Sequence, residues 1–310
     1  MKNISIVFAG QGAQSVGMGR DLAGAFPECR ALFDRADAAL GFSLSKVCFE
    51  GPIEELTKSN NCQPAIFVAS MACFTALKKE LGGSLEYNGM AGLSLGEWSA
   101  LHAAGALSFD DAVRVLEARG RFMQQACEER QGGMVSVIGL PVDKLREVAM
   151  ATGVEIANMN SEEQTVLSGA KNAIDEAAKA ATAAGAKKTV VLNVAGAFHS
   201  SLMASAAGKL RDFLGSISFV QPSAPVVSNV TGRPHGSPQE IRENMVKQVT
   251  SPVQWVSCVK WFKENGTTRY VECGPGKVLS GLIRRIDKDA GLHDIQDVAT
   301  LQKAVAAFKA

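Results

Sequence analysis

The sequence predicts an α/β protein in which a larger parallel-sheet domain carries a small inserted subdomain. Three observations support this prediction: an apolar strand that runs into a glycine turn at the N-terminus, long apolar helices after it, and a β-α-β-β-α-β pattern in mid-chain. The 310 residues suffice for about two domains, and 46% of them are apolar, so a sizeable core can form.

The larger domain begins with a strand at residues 4–8, whose β-branched and aromatic content is typical of a buried parallel strand. The turn at residues 10–12 (GQG) follows it. A dinucleotide-binding G-x-G-x-x-G is not formed there, because position 15 is serine. The further predicted elements of this domain are helices at 63–81, 96–104 and 109–127 and a strand at 269–272.

The middle of the chain has the element order of a split βαβ, or ferredoxin-like, unit. Its predicted strands are 134–138, 154–157, 165–168 and 189–194, its helices are 141–151 and 171–184, and a polar turn occupies 158–164. We therefore predict a ferredoxin-like subdomain at residues 128–194, with residues 1–127 and 195–310 forming the larger α/β domain.

Charge and cysteine usage exclude several classes of protein. Lys and Arg total 32 against 31 Asp and Glu, so the formal net charge is only +1. This lacks the excess of positive charge that is typical of a nucleic-acid-binding protein. No window approaches the ~20 apolar residues that span a bilayer, and the apolar N-terminal run is too short for a signal peptide. The seven cysteines and four histidines show no disulfide or metal-ligand spacing. We expect a cytoplasmic, soluble protein without a metal.

The clearest local signal is a G-x-S-x-G at residues 92–96 (GLSLG), between a predicted strand and a predicted helix. A nucleophilic serine on so tight a turn needs small neighbours, and the helix N-terminus favours developing negative charge. The same pattern also fits an ordinary helix start with Ser94 as its N-cap.

A serine nucleophile needs a base, and position favours His199 among the four histidines, because it follows the last predicted strand of the insert. Arg119 is the other unusual residue. Its neighbours three and four positions away are apolar, so its face of the helix should be buried. A guanidinium there needs an anion, either from elsewhere in the fold or from a substrate carboxylate.

Seven motifs occur together in one order and spacing. They are GQGAQ at 10–14, GLSLGE at 92–97, EARGR at 117–121, AFHS at 197–200, SNVTG at 228–232, Gln248 with PVQW at 252–255, and ECGPG at 272–276. In this order the chain resembles the malonyl-CoA:acyl carrier protein transacylase family, which is related to the acyltransferase domains of polyketide synthases. The resemblance covers residues 4–285.

The resemblance implies a hydrolase-like α/β core with a ferredoxin-like insert, and an enzyme that moves malonyl groups through a malonyl-serine intermediate for fatty acid synthesis. It assigns Ser94 as nucleophile and His199 as general base, and the carbonyl of Gln248 as the group that orients the histidine. The remaining implied site residues are Gln11 and Leu95 (oxyanion-hole amides), Arg119 (malonyl carboxylate), and Asn160 and Phe198 (acyl pocket). Its partners would be malonyl-CoA and the phosphopantetheine arm of an acyl carrier protein, with no cofactor.

Four positions depart from the family pattern: Ala9, Leu93, Trp98 and Gly196 replace a usual proline, histidine, tyrosine and histidine. None removes a catalytic atom. The alternatives are a serine hydrolase or thioesterase and a non-catalytic carrier-binding homologue, and a monomer is expected. An acidic carrier could contact basic residues near the site, for which the candidates are Lys187, Lys188, Arg284 and Arg285.

Overall fold

The computed structural model describes residues 3–83 and 85–309, which form eight strands and fourteen α-helices. The strands are β1 (Ile4–Phe8), β2 (Gly89–Gly92), β3 (Gly132–Ile138), β4 (Glu155–Ser161), β5 (Gln164–Ala170), β6 (Lys188–Val191), β7 (Arg269–Cys273) and β8 (Gly291–Ile295). The helices are α1 (Arg20–Ala25), α2 (Pro27–Leu40), α3 (Leu44–Glu50), α4 (Ile53–Thr57), α5 (Ser59–Glu80), α6 (Leu95–Ala103), α7 (Phe109–Glu129), α8 (Val142–Thr152), α9 (Lys171–Ala183), α10 (Ala204–Leu214), α11 (Pro238–Lys247), α12 (Trp255–Glu264), α13 (Val278–Ile286) and α14 (Val298–Lys309).

The larger sheet is parallel, with strand order β2-β1-β7-β8. Strands β1 and β2 are buried along their whole length, as expected when both faces of a parallel sheet are covered. Phe8 pairs with Gly92 and with Cys273, so β1, β2 and β7 end at the same edge. The segments that follow these strands therefore meet at one edge of the sheet, where open α/β sheets bind their ligands.

The smaller sheet is antiparallel, with strand order β4-β5-β3-β6, and it has the predicted ferredoxin-like topology. One face packs on α8 and α9 around a separate apolar cluster that includes Val135, Leu145, Leu167 and Ile174. Residues of the other face, such as Met134, join the main core. The whole sheet lies between residues 128 and 194, and the domain boundaries themselves stay a prediction.

The predicted and observed strands differ in three places. The strand predicted at 189–194 is β6, which ends at Val191. The predicted polar turn at 158–164 is wrong in extent, since β4 continues to Ser161 and β5 starts at Gln164. Asn158 and Asn160 belong to that strand and line a cavity, which is why polar residues occur there without a loop. Strand β8 was not predicted because its residues are half-buried at a sheet edge and lack a clear apolar alternation.

Among residues 3–83 and 85–309 no helix is long and apolar enough to span a bilayer. The same residues contain no group of three or more His, Cys, Asp or Glu side chains placed to hold a metal ion. All seven cysteines are buried free thiols.

Candidate active site

Ser94 lies on the sharp turn between β2 and α6, with φ 55° and ψ −102°. Both flanking glycines are required by this geometry. An ideal Cβ on Gly92 would lie 2.1 Å from the carbonyl carbon of Gly96, and one on Gly96 would lie 2.3 Å from the carbonyl oxygen of Phe8. The Ser94 side chain makes no capping bond to α6, so its hydroxyl is directed elsewhere. This is the strand-turn-helix geometry of a nucleophile elbow.

His199 approaches the Ser94 hydroxyl from the segment that leaves the small sheet. Its Nε2 is 2.9 Å from Ser94 Oγ, and its Nδ1 is 2.8 Å from the carbonyl oxygen of Gln248. Because a carbonyl only accepts, Nδ1 carries a proton and Nε2 is left to accept one from the serine. Burial, together with the charge of Arg119, lowers the pKa of His199 to about 4, so the ring is a neutral base at neutral pH.

Arg119 reaches the same hydroxyl from α7. Its Nη2 donates to Ser94 Oγ and to Gln248 Oε1, both at 3.0 Å, and its Nη1 donates to Gln63 Oε1 at 2.6 Å. Burial lowers the pKa of Arg119 to about 10, which still leaves it charged at neutral pH. Among the described residues no carboxylate lies within the 4.0 Å of an ion pair with it. The sequence left two sources for an anion beside Arg119, a carboxylate of the fold or one of a substrate. The described residues place no carboxylate of the fold in contact with the guanidinium.

The backbone amides of Leu95 and Gln11 are the candidate donors for an oxyanion at Ser94. Leu95 N is the first amide of α6, and Gln11 follows β1 and lines the cavity beside Ser94. Within residues 3–83 and 85–309 neither amide donates to another backbone group. A helix N-terminus and a free turn amide are suitable donors for an oxyanion.

A cavity of about 560 Å³ opens from Ser94 and His199 towards the surface. Phe198 and Asn160 both line it, and Asn160 Oδ1 is buried without a hydrogen-bond partner in the described residues. Arg119 and Gln248 are not part of the lining, but they contact Ser94 and His199 from behind. The inner end of the cavity is therefore lined by polar side chains, with the charge of Arg119 directly behind Ser94 and the unpaired acceptor of Asn160 on one wall.

The outer part of this cavity is lined by α13 and by the segment after β6. Lys277 and Arg285 are cationic lining residues, and Val194 and Val278 are exposed apolar ones. Of the four basic residues suggested by the sequence, only Arg285 lines the cavity. The other three, Lys187, Lys188 and Arg284, are exposed outside the lining.

Two departures from the family pattern have a local explanation. An ideal Cβ on Gly196 would lie 2.4 Å from Cys127 Sγ, so a larger side chain there would require the Cys127 side chain to shift. Leu93 lines the cavity and packs against the apolar cluster around Trp255, where it presents no polar atom to a ligand.

Sequence reasoning gave no role to several residues that hold the site together. Asn229 accepts from Ser94 N at 2.7 Å and donates to the carbonyl of Gly92 at 2.9 Å, which fixes the elbow. The others are Gln63, Glu97 and His235. Asn229 and Glu97 occur inside recognised motifs, which was the available signal, whereas nothing in the sequence pattern marks Gln63 or His235 as neighbours of the site.

The family model for the acyl transferase domain matches residues 6–309. The malonyl CoA-acyl carrier protein transacylase of Bacillus subtilis strain 168 is 38% identical over 314 residues, covering 100% of this chain and 98% of that protein. The chain belongs to the malonyl-CoA:acyl carrier protein transacylase family.

Solved structures of this transacylase family have the same fold. The Clostridium perfringens transacylase superposes with a TM-score of 0.95 at 37% identity, covering 99% of this chain and 97% of that one. A malonyl-transacylase solved in complex with its type II PKS acyl carrier protein has a TM-score of 0.94 at 39% identity, covering 99% of this chain and 100% of that one. The hydrolase-like α/β core with a ferredoxin-like insert is thus the family's architecture.

Proposed function

We propose that this protein transfers a malonyl group from malonyl-CoA to the phosphopantetheine thiol of an acyl carrier protein, through an ester on Ser94. It would thereby supply extender units for fatty acid synthesis. The observation that carries the proposal is Arg119, a buried cation bonded to Ser94 Oγ with no carboxylate in contact within the described chain. The relatives named above, which are malonyl transacylases, support the same assignment.

Acylation begins when His199 Nε2 takes the Ser94 proton and Oγ attacks the thioester carbonyl. The oxyanion that forms would be held by the amides of Gln11 and Leu95. Loss of one such donor in a comparable site costs ~3 kcal/mol. The carbon–sulfur bond then breaks, His199 returns its proton to the CoA sulfur, and a malonyl-serine ester remains.

The second half-reaction runs through the same groups. The carrier thiol gives its proton to His199 and attacks the malonyl-serine carbonyl, and the two amides again hold the oxyanion. Ser94 leaves with the proton from His199. Every bond change uses side chains or amides of this chain, so we propose no metal or cofactor, and one chain provides all the groups.

Acyl choice would come from Arg119 and the cavity wall. A malonyl carboxylate can pair with the buried guanidinium, whereas an acetyl group leaves that charge without an anion. Asn160 Oδ1 offers an acceptor on one wall, and the ring of Phe198 beside His199 would crowd an α-methyl branch.

The carrier would dock at the outer part of the cavity. Lys277 and Arg285 supply positive charge there for an acidic partner, and Val194 and Val278 supply exposed apolar surface for the arm. A related malonyl-transacylase has been solved in complex with its acyl carrier protein, which supports a carrier as the acceptor.

Intact-protein mass spectrometry after brief mixing with malonyl-CoA tests the proposal, with Ser94→Ala as the control. We expect one malonyl adduct on the parent protein, none on the control, and loss of the adduct when holo-carrier is added. Release of free malonate without carrier would instead indicate a hydrolase. No adduct and no turnover would indicate a non-catalytic carrier-binding protein.

A further inference from the structure

Glu97 is a fully buried carboxylate on the first turn of α6, and the mechanism above gives it no step. Its Oε2 accepts from Gln248 Nε2 at 2.6 Å and from Asn229 N at 3.1 Å. Its Oε1 accepts from His235 Nε2 at 2.8 Å, and both of these side chains are fully buried. A charge in so dry a place is costly unless its partners are well placed.

The Gln248 carboxamide lies between this carboxylate and Arg119. Its Nε2 donates to Glu97 and to the Ser94 carbonyl oxygen at 3.0 Å, and its Oε1 accepts from Arg119 Nη2. Rotating the amide by half a turn would set its NH₂ against the guanidinium and its oxygen against two acceptors. All three contacts therefore select one orientation, and Glu97 provides the shortest of them.

We propose that Glu97 is a positioning residue for Arg119 that acts by fixing the orientation of the Gln248 amide. With the amide fixed, an acceptor faces Nη2 and the guanidinium stays beside Ser94 Oγ. If the Gln248 amide were not fixed in this orientation, Gln63 would be the one side-chain amide still accepting a hydrogen bond from Arg119. The inference rests on the proposed function, because its consequence is a change in selection for the malonyl carboxylate.

The charges of the two residues also agree with this arrangement. Burial lowers the pKa of Arg119, and the negative charge of Glu97 opposes that effect across the intervening amide. The Gln248 amide thus keeps the guanidinium and the Glu97 carboxylate apart, and the guanidinium can still pair with a substrate carboxylate. A direct ion pair with Glu97 would use the donors that this pairing needs.

The test compares Glu97→Met with Glu97→Gln by measuring kcat/KM for malonyl-CoA and acetyl-CoA with the same carrier. Methionine has a similar length but no acceptor, so we expect the preference for malonyl to fall about tenfold while acetyl transfer is retained. Glutamine can accept from Gln248 with its own carbonyl oxygen, and we expect the preference to be kept. Equal losses for both acyl groups, or the same loss of preference in both variants, would overturn the inference.

Two further variants keep the test decisive. Glu97→Asp retains the charge but is one methylene shorter, so it should lose part of the preference even if the methionine variant does not fold. Glu272→Met removes another buried carboxylate, which accepts from the amides of Leu279 and Ser280, and it should lower stability without changing the preference.

Arg119→Ala separates this inference from the proposed function. If Arg119→Ala abolishes the malonyl preference while the Glu97 variants keep it, only the positioning role fails. If Arg119→Ala leaves the preference intact, the carboxylate-binding role on which both depend is wrong.

Discussion

The inner and outer ends of the active-site cavity are built on different principles. At the inner end Ser94, His199 and Arg119 are less than 10% exposed. The side chains of His199 and Arg119 both form hydrogen bonds with the Ser94 hydroxyl. At the outer end Val278 is 56% exposed and Val194 is 37% exposed, beside two cations. The inner end is preorganised before substrate arrives, whereas the outer end exposes positive charge and apolar area, as the proposed carrier-docking surface requires.

Removing His199, the proposed base, is the most severe test of the preorganised end. We expect His199→Ala to slow malonylation of Ser94 at neutral pH by about 10³-fold or more, because no other described base lies within hydrogen-bond distance of the hydroxyl. Single-turnover mixing with malonyl-CoA measures this rate. A near-normal rate would mean that another group takes the proton.

Removing the guanidinium should affect one substrate far more than another. Arg119→Ala is expected to lower kcat/KM for malonyl-CoA by about 10²-fold, since a charged bond to the carboxylate is lost. Transfer from acetyl-CoA should change much less. Competition between the two thioesters measures the ratio, and equal losses would show that Arg119 serves the nucleophile rather than the acyl group.

The pH dependence of acylation measures how well the inner end of the cavity shields His199 from water. In the proposed mechanism the protonated ring of His199 is inactive, so a pKa near 4 moves the expected acidic loss of activity to low pH. Single-turnover acylation should stay near its plateau at pH 5.5, where a histidine of ordinary pKa would be protonated about tenfold over its neutral form. A half-maximal rate near pH 6.5 would show that water reaches the ring.

Charge at the outer end should have the smallest effect, and it should depend on salt. Lys277→Glu and Arg285→Glu are each expected to raise KM for the holo-carrier about fivefold at low ionic strength and less at high ionic strength. Transfer to free pantetheine, which is uncharged, should be unchanged. Lys144→Glu, on the exposed face of α8 away from the cavity, is the matched control. Equal effects in all three variants would rule out a local docking site.

The sequence predicted those parts of the molecule that depend on local signals. Apolar periodicity and the glycines at turns correctly predicted strand β1, the elbow at Ser94, helix α7 and the ferredoxin-like order. Helices α1 to α4 were not predicted. Three of them, α1, α3 and α4, have only 6, 7 and 5 residues and are separated by turns, whereas α2 has 14 residues and was missed despite its length.

The network behind the site could not be predicted in the same way. Gln63, Glu97 and Gln248 lie on different elements. The contact of Gln63 with Arg119 spans 56 residues along the chain, and that of Glu97 with Gln248 spans 151. No periodicity records such distant pairs, and a polar residue in an apolar run gives no indication of its partner. The burial of Arg119 was foreseeable from its helix neighbours, but the two amides that hold it were not.

Ser94 and His199 share one backbone feature. Both have a positive φ, 55° and 58°, which residues other than glycine rarely adopt. Each such residue costs of order 1–3 kcal/mol of folding stability, and the surrounding packing must hold it in place. Glycine would relieve that cost at either position and would remove the reacting atom with it. Selection for stability and selection for activity therefore act in opposite directions at these two positions, and a more stable variant found here is expected to be a less active one.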